Sequence, residues 1–464
     1  MTAGDGAAAP ARHVAVVGGG VGGLLAAHRL ERAGAKVTLF ESAAQLGGVV
    51  ATTHEDGYLH EHAASSFLAK PGGMVDLCRE LDVPVVRASK IARRRWIFID
   101  GERREVPSGP WSLLRTNLLT ARGKLALLGE PLRAARDVEK SGDESVYDFA
   151  ARRLGPEMAR AMVAPFVGGI FAADAHDISL QAGFPMLAEL DAHGGLVRGM
   201  LRKAFGGGRP RKSAPARARR GRGEGGLWAP ERGMASVVDA LARGLRGEVR
   251  LRCAVDELAP VDGGVEVRHG ERAERFDGVI AALPAQVLSA LLPKVPEAAR
   301  RLGEIQRAPA AVVSLGYRRD EFEAPLDGFG MLIAAGERAR VLGVVYESVL
   351  WPGRAEPDRI LLRCVLAGSR DPTAFELDDE ALMRTAAEDI AATLGVTATP
   401  VHRAVTRRAA GIAPFRVGHR ERLAAAEAAL RRHRILLAGA DYRGVGLNGI
   451  CLDTPAVVAE ALAW

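Results

Sequence analysis

The apolar positions near the N-terminus change their spacing twice within thirty residues. His13–Val17 is a mostly apolar run of the kind found in buried parallel strands. Apolar residues then recur at helical spacing from Leu24 to Ala33, and Gly34 follows as a residue that ends helices. Val37–Phe40 is a second short strand run. The pattern therefore predicts a strand–helix–strand unit at the start of the chain.

The rest of the chain alternates between blocks of strand and helix pattern. Residues 93–107 predict a β-hairpin with Asp100-Gly101 at its turn, and helical spacing dominates from about 111 to 205. A β-meander is predicted over about 247–283, and strands alternate with one helix over about 300–420. With 464 residues the chain is too long for one simple core. These blocks predict an α/β (α+β) fold built from more than one domain.

Composition is that of a globular protein, since 48% of the residues are apolar and 26% are charged. No uninterrupted apolar run reaches the length of a membrane span. The four cysteines lie far apart in the sequence, which predicts neither a disulfide framework nor a zinc site. A reducing cytoplasm is therefore the expected compartment.

The net charge of +7 has a local origin. Leu201–Gly223 holds nine Lys and Arg residues and no acid, so without it the net charge becomes −2. Its Gly, Pro and Ala content predicts a basic flexible loop over residues 206–225. We interpret it as a solvated insertion, with binding to an anionic membrane surface as the alternative. Nucleic acid is not an expected partner because no aromatic residues alternate with the basic ones.

The link between the first strand and the first helix carries a nucleotide-binding motif. Gly18-Gly19-Gly20-Val21-Gly22-Gly23 fits G-x-G-x-x-G, in which the glycines allow a tight turn, a close pyrophosphate and close helix–strand packing. Glu41 follows Gly23 by eighteen residues, where a carboxylate accepts hydrogen bonds from ribose hydroxyls. Strand, glycines, helix, strand and acid together predict a dinucleotide site with the pyrophosphate at the helix N-terminus.

A second glycine pair favours FAD over NAD as the dinucleotide. Gly47 and Gly48 follow Glu41 closely, and Gly57–Glu61 then predicts a short strand after a turn. This arrangement resembles the extended FAD fingerprint of glutathione-reductase-type flavoproteins, in particular the amine oxidase superfamily. Gln45 stands where that fingerprint usually has an arginine.

Three histidines on the same stretch raise the question of a metal. They are His54, His60 and His62, and strand alternation would put His60 and His62 on one face, but no Asp, His or Cys at a suggestive spacing completes a ligand set. No metal site is therefore expected, and a solvated strand face or a contact to the flavin is the preferred interpretation.

Taken as a whole, the chain resembles the oxygen-dependent protoporphyrinogen and coproporphyrinogen oxidase family over about residues 13–463. The strings that carry the resemblance are VAVVGGGVGGL, GGIFAADAHDISLQAGFPML, DGFGMLI, VLGVVYESVLWP, GIAPFRVGH and GADYRGVGLNGI. The resemblance implies noncovalent FAD and a six-electron, oxygen-dependent oxidation of a porphyrinogen in heme biosynthesis that releases hydrogen peroxide.

The resemblance also implies three domains. A discontinuous, Rossmann-like FAD domain of glutathione-reductase type is expected over residues 1–90, 226–292 and 421–464. A mixed-sheet substrate domain is expected over 91–109 and 293–420, and an α-helical domain of the membrane-binding type over 110–205. The apolar stretches of the helical domain fit either ordinary helix packing or a membrane-facing surface.

Site residues carry over by position. The residues expected to line FAD are Gly18, Gly19, Gly20, Val21, Gly22, Gly23, Glu41, Ser42, Gln45, Gly47, Gly48, Val49, Ala63, Ala64, Ser65, Ser66, Val255 (on a strand beside the adenine), Gly439, Val445, Gly446 and Leu447. The residues expected at the substrate are Arg95, which faces a propionate, and Phe329, Gly330, Leu332 and Val365 around the macrocycle. No catalytic side chain is assigned, because the flavin drives hydride abstraction.

One absence argues against an amine oxidase. Enzymes of that kind carry a lysine near the flavin, within the substrate domain, and no lysine occurs between Val295 and Trp464.

Three departures from the family pattern keep other functions open. The family's E-x-G-P, I-P-Q-Y and G-L-N-D-C strings read here as 61-EHAA-64, 412-IAPF-415 and 446-GLNGI-450. The alternatives are a diverged flavin-dependent desaturase or amine oxidase acting on another metabolite, and a non-catalytic FAD-binding scaffold. The expected partners are a porphyrinogen and dioxygen. The choice between the two porphyrinogens stays open, as do a homodimer and peripheral attachment to the inner face of the cell membrane.

Overall fold

The computed structural model describes residues 11–133, 136, 142–205, 225–444 and 446–464. The predicted basic loop, apart from Gly225, and Val445 lie outside the described residues. Within them, the strands are β1 (His13–Val17), β2 (Lys36–Phe40), β3 (Thr52–Glu55), β4 (Tyr58–Glu61), β5 (Phe67–Leu68), β6 (Val85–Arg87), β7 (Trp96–Ile99), β8 (Glu102–Glu105), β9 (Leu227–Pro230), β10 (Glu248–Arg250), β11 (Glu257–Val261), β12 (Gly264–His269), β13 (Arg272–Phe276), β14 (Gly278–Ala281), β15 (Ala308–Arg318), β16 (Gly330–Ile333), β17 (Gly343–Val345), β18 (Arg359–Ala367), β19 (His402–Ile412) and β20 (Ile435–Leu437).

The α-helices in the described residues are α1 (Val21–Arg32), α2 (Met74–Glu80), α3 (Pro110–Arg115), α4 (Ala121–Leu128), α5 (Val146–Leu154), α6 (Pro156–Met158), α7 (Ala164–Phe171), α8 (Leu180–Gly183), α9 (Pro185–Ala192), α10 (Leu196–Phe205), α11 (Ala235–Gly244), α12 (Ala285–Ala290), α13 (Pro296–Gly303), α14 (Glu347–Leu350), α15 (Asp379–Leu394), α16 (His419–Arg431), α17 (Ala440–Arg443) and α18 (Leu447–Leu462).

The first of two compact units is discontinuous and comprises residues 1–50, 235–304 and 422–464. Its main sheet is parallel, in the order β10–β2–β1–β14–β20. The predicted strand–helix–strand unit is confirmed as β1, α1 and β2, and every residue of β1 after His13 is buried. The predicted meander contains the antiparallel sheet β11–β12–β13. The glycine motif thus lies at the carboxyl end of the central strand of a parallel sheet.

The second unit comprises residues 51–234 and 305–421 and contains a seven-stranded mixed sheet in the order β19–β15–β18–β17–β16–β7–β8. The predicted hairpin is confirmed as β7 and β8, with Asp100 at φ 54° and Gly101 at φ 73° in its turn. One face of this sheet is covered by the apolar core of the unit. That face carries Val313, Met331, Val344 and Cys364, which pack with the buried face of α15.

The described residues between 110 and 205 in the second unit are mostly helical, as the periodicity predicts. No helix in the described part of the chain combines the length and the apolar character that crossing a membrane requires. The predicted fold class, α/β with more than one sheet, is confirmed. The finer division into three domains stays a prediction.

Candidate functional site

The glycine motif forms a tight loop between β1 and the N-terminus of α1. Gly18 has a φ of 103°, a value that favours glycine, and its amide donates to the carbonyl oxygen of Phe40 at 2.8 Å. A Cβ on Gly23 would lie 1.8 Å from the carbonyl oxygen of Gly18, so the helix can approach the strand only without a side chain there. A Cβ on Gly20, by contrast, would meet no atom within 4 Å. The fold therefore needs Gly18 and Gly23, whereas the space beside Gly20 is open.

Glu41 and the second glycine pair close around this loop. The Glu41 carboxylate accepts the Gly19 amide at 2.7 Å, and the Gly47 amide donates to the carbonyl oxygen of Gly19 at 2.8 Å. Gly20 and Gly47 form an isolated parallel bridge, and a Cβ on Gly48 would lie 3.2 Å from the Gly20 Cα. The structure thus brings the two predicted glycine turns and the predicted acid together in the first unit.

The closing segment of the chain joins the same region. A Cβ on Gly22 would lie 3.1 Å from the Cα of Gly439, whose φ of 123° again favours glycine. Gly446 precedes the first residue of α18, Leu447. A Cβ on Gly449 would lie 3.1 Å from the Cα of Gly444, so the departure from the family string at residue 449 allows the first turn of α18 to pack closely on that backbone.

Other predicted cofactor residues of the first unit lie on its surface. Ser42, Gln45 and Val49 are exposed in the loop after β2. Val255 does not lie on a strand, and that part of the prediction is wrong: it occupies an irregular segment before β11. The chain turns at residues 251–252, where Arg252 has a φ of 54°, so the regular pairing of β10 with β2 ends before Val255.

These features make the loop suitable for a dinucleotide. The N-terminus of α1 presents backbone amides without intrahelical partners, and the helix dipole favours an anion there. The open space at Gly20 admits a diphosphate to the backbone, and the Glu41 carboxylate supplies an acceptor for a diol. The residues present therefore fit the group that the motif predicts.

The remaining predicted cofactor residues, Ala63, Ala64, Ser65 and Ser66, belong to the second unit and follow β4. Their backbone is held by buried arginines. Arg363 donates to the carbonyl oxygen of Ala63, and Arg354 donates to that of Ser65 at 3.4 Å. Arg354 also forms an ion pair with Glu61 at 2.6 Å, in which both side chains are 1% exposed.

This charged cluster, Glu61, Glu347, Arg354 and Arg363, was not predicted from the sequence. Glu61 also accepts the Met234 amide at 2.9 Å. Burial raises the pKa of Glu347, and the charges of Arg354 and Arg363 oppose that rise. Removing one member would leave its partner as a buried, unpaired charge, which is costly. The cluster therefore holds its two arginines in place, and they in turn hold the backbone at Ala63 and Ser65. Its members lie up to 302 residues apart in the chain, so no local pattern could reveal the pairing.

The predicted substrate residues come together on the second unit's sheet. Gly330 and Leu332 lie on β16 and Val365 on β18, and β17 joins these two strands through the pairs Leu332–Gly343 and Gly343–Val365. By the alternation of a strand, they share the face opposite the core. Leu332 and Val365 are half-buried.

Arg95 and Phe329 border this face. The Arg95 guanidinium lies 5.8 Å from the centre of the Phe329 ring, and the Phe329 amide donates to the Arg94 carbonyl oxygen at 2.8 Å. Arg95 is exposed and lines an open cleft of about 450 Å³ with Val106 and Pro107 among its neighbours. The arrangement offers an apolar surface with a cation beside it.

Comparison with known proteins assigns the class. The family model for flavin-containing amine oxidoreductases matches residues 21–450, and the chain belongs to this family. It is an oxidoreductase that uses a flavin.

The curated relatives give the branch of the family. The chain is 31% identical to protoporphyrinogen oxidase of Homo sapiens over 96% of both chains. It is 24% identical to coproporphyrinogen III oxidase of Bacillus subtilis (strain 168), with 98% of each chain covered. A crystal structure of an Exiguobacterium sp. 255-15 protein assigned as a protoporphyrinogen oxidase has a TM-score of 0.82 at 24% identity, covering 98% of this chain and 100% of that one. The predicted resemblance to the protoporphyrinogen and coproporphyrinogen oxidases is confirmed.

Proposed function

We propose that this chain is an FAD-dependent oxidase of a porphyrinogen in heme biosynthesis, acting on protoporphyrinogen IX or coproporphyrinogen III. The observation that carries the proposal is the sheet face of Leu332 and Val365 beside Arg95 and Phe329. A porphyrinogen is an apolar macrocycle with carboxylate arms. The face fits the ring, and a guanidinium binds a propionate through charge-assisted hydrogen bonds. The similarity to relatives named for both substrates supports the same class.

We propose noncovalent FAD as the form of the flavin. The amides at the start of α1 would hold its diphosphate, Glu41 its ribose, and the first residues of α18 would border its ring. When bound, the flavin accepts a hydride from the substrate. For Ala63 to Ser66, in the second unit, contact with the flavin stays a prediction from the sequence.

The protein's own task is to position the substrate and exclude water. An electron-rich macrocycle gives up hydride to a flavin without a protein base, which agrees with the absence of lysine after Lys294. Removing six electrons and six hydrogens takes three such events. We propose that dioxygen is the final acceptor and that each event releases one molecule of hydrogen peroxide.

The test is to incubate the flavin-loaded protein with each porphyrinogen in air and to record porphyrin fluorescence and peroxide. We expect porphyrin formation well above autoxidation, with three peroxides per porphyrin. Arg95→Ala should raise KM more than it lowers kcat, because a propionate contact is a binding contact. Arg93 is another exposed arginine of the same cleft, and Arg93→Ala is the matched control. No porphyrin from either substrate would refute the proposal and favour a desaturase, an amine oxidase or a scaffold.

We also propose that the helical segment attaches peripherally to the inner face of the cell membrane. Its exposed apolar residues include Trp111 at 78%, Leu125 at 68% and Leu132 at 86% exposure. Exposed Arg115 lies on α3 with Trp111, and exposed Arg122 lies on α4 with Leu125, a combination that matches an anionic lipid surface.

Vesicles of phosphatidylglycerol should co-sediment with the wild-type protein, and vesicles of phosphatidylcholine should do so less. Leu132→Glu should release the protein from the anionic vesicles. Val401→Glu, at a site 57% exposed outside the helical segment, should not. Equal sedimentation of both variants would contradict attachment through these helices.

A further inference from the structure

Two buried histidines meet in the second unit although 342 residues separate them. His60 lies on β4, and His402 is the first residue of β19. Their Nε2 atoms are 2.8 Å apart, and their rings stack with centres 4.8 Å apart. Both side chains are more than nine-tenths buried. The carboxylate of Glu55 completes a group in which the three ligand atoms lie within 4.8 Å of one another.

The second nitrogen of His402 is oriented as in a metal site. Its Nδ1 lies 3.1 Å from the Asp56 carboxylate, which can accept the Nδ1 proton and leave a lone pair on Nε2. In His60, Nε2 faces that lone pair, and Nδ1 has no hydrogen-bond partner among the described residues. Without an ion, the two Nε2 atoms can pair only if His60 Nε2 carries a proton and His402 Nε2 accepts it.

The distances suit an ion of the zinc class. Two imidazole nitrogens bound to one tetrahedral Zn²⁺ at about 2.0–2.1 Å lie about 3.3 Å apart. The two Nε2 atoms therefore need to separate by about 0.5 Å, and both rings need to turn so that their lone pairs meet at the ion. Glu55 is exposed and can turn toward the same point, and solvent can supply the fourth ligand. Two histidines and one glutamate form a ligand set that zinc accepts.

We propose that His60, His402 and Glu55 bind one divalent transition-metal ion, zinc or a metal of similar preference, and that Asp56 orients His402. None of these four residues is among the proposed flavin and substrate residues. The ion would join the β3–β4 hairpin to β19, which carries His402. Beside it, Tyr58 of β4 packs directly over Gly316 of β15, where an added Cβ would lie 2.5 Å from the Tyr58 ring. His60 is followed directly by Glu61, a member of the charged cluster, so the ion would hold β4 in place one residue before the Glu61–Arg354 ion pair.

The experiment uses the full-length, flavin-loaded protein after chelator treatment. Titration with Co²⁺ should give d–d absorption bands of a nitrogen and oxygen ligand set with a stoichiometry of one per chain, and Zn²⁺ should displace it. His60→Gln and His402→Gln should each weaken Zn²⁺ binding by about a hundredfold or more, since even loss of an orienting partner costs about 10–100-fold. Asp56→Asn should give that smaller loss. His54→Gln, an exposed histidine of the same hairpin, is the matched control and should bind normally.

Three outcomes would overturn the proposal: no stoichiometric binding at micromolar metal, unchanged affinity in His402→Gln, or a thiolate-to-cobalt charge-transfer band. Circular dichroism of the metal-free variants checks folding. If a buried histidine variant fails to fold, the exposed Glu55→Gln and Asp56→Asn decide the matter. Unchanged affinity in both would then leave a proton-sharing histidine pair as the explanation.

Discussion

Replacing Gly20 by alanine separates the folding role of the glycine loop from its cofactor role. Gly20 has φ −68° and ψ 175°, which any residue adopts, and a Cβ there meets no atom within 4 Å. The flavin-free protein should therefore keep its free energy of unfolding or gain up to about 1 kcal/mol, because alanine restricts the unfolded chain.

Flavin binding should respond differently. The added methyl would occupy the space through which a diphosphate reaches the amides at the start of α1. A hydrogen bond to a charged group contributes about 1.5–3 kcal/mol, so losing one weakens FAD binding by about 10–150-fold.

The assay is fluorescence titration of the flavin-free protein with FAD, combined with denaturant unfolding. Gly23→Ala is the control for a folding defect: its Cβ would lie 1.8 Å from the Gly18 carbonyl oxygen and should cost about 1–3 kcal/mol or more. An unchanged FAD affinity in Gly20→Ala, or a loss of stability equal to that of Gly23→Ala, would refute the reasoning.

Three further predictions concern charge. Arg354→Met should lower the free energy of unfolding by about 3–5 kcal/mol in denaturant titration, because Glu61 is left buried without its partner, and Arg354→Met/Glu61→Gln should recover part of it. Arg250 lowers the pKa of Glu274 to about 2. The stability that this carboxylate contributes is therefore complete above the ordinary glutamate pKa and is lost as the pH falls toward 2. Acid unfolding of Glu274→Gln should lack that component, and a profile identical to wild type would contradict the prediction. Arg94→Ala should change stability by less than about 1 kcal/mol, since its ion pairs are solvent-exposed, and a larger loss would show that they act as a network.

Local chemistry was predictable, and long-range pairing was not. The glycine loop, Glu41 and the hairpin at Asp100-Gly101 could be predicted because their backbone requirements involve residues close together in the sequence. The pairing of Glu61 with Arg354 depends on how distant segments of the chain align in the fold. The contact between His60 and His402 depends on the same alignment, so the sequence around His60 does not predict it.

The face of a strand is a further case of this limit. Alternation shows that Leu332 and Met331 point to opposite sides, but it does not say which side the core covers. That choice depends on α15, which packs against the face that carries Met331. Val255 was predicted on a strand, but a turn at residues 251–252, with Arg252 at a φ of 54°, ends the strand pairing before it, and apolar spacing does not reveal that turn.

The interleaved order of the first unit has a consequence for biosynthesis. The central strand β1 emerges from the ribosome well before its neighbour β14 and the outer strand β20, which follow about 260 and 420 residues later. At about 5–20 residues per second, β1 waits roughly 20–80 s for the sheet to be completed. The cofactor loop is thus translated before most of the sheet that supports it. During that interval β1 can pair with β2 on one side only, and its other, apolar edge is a substrate for chaperones.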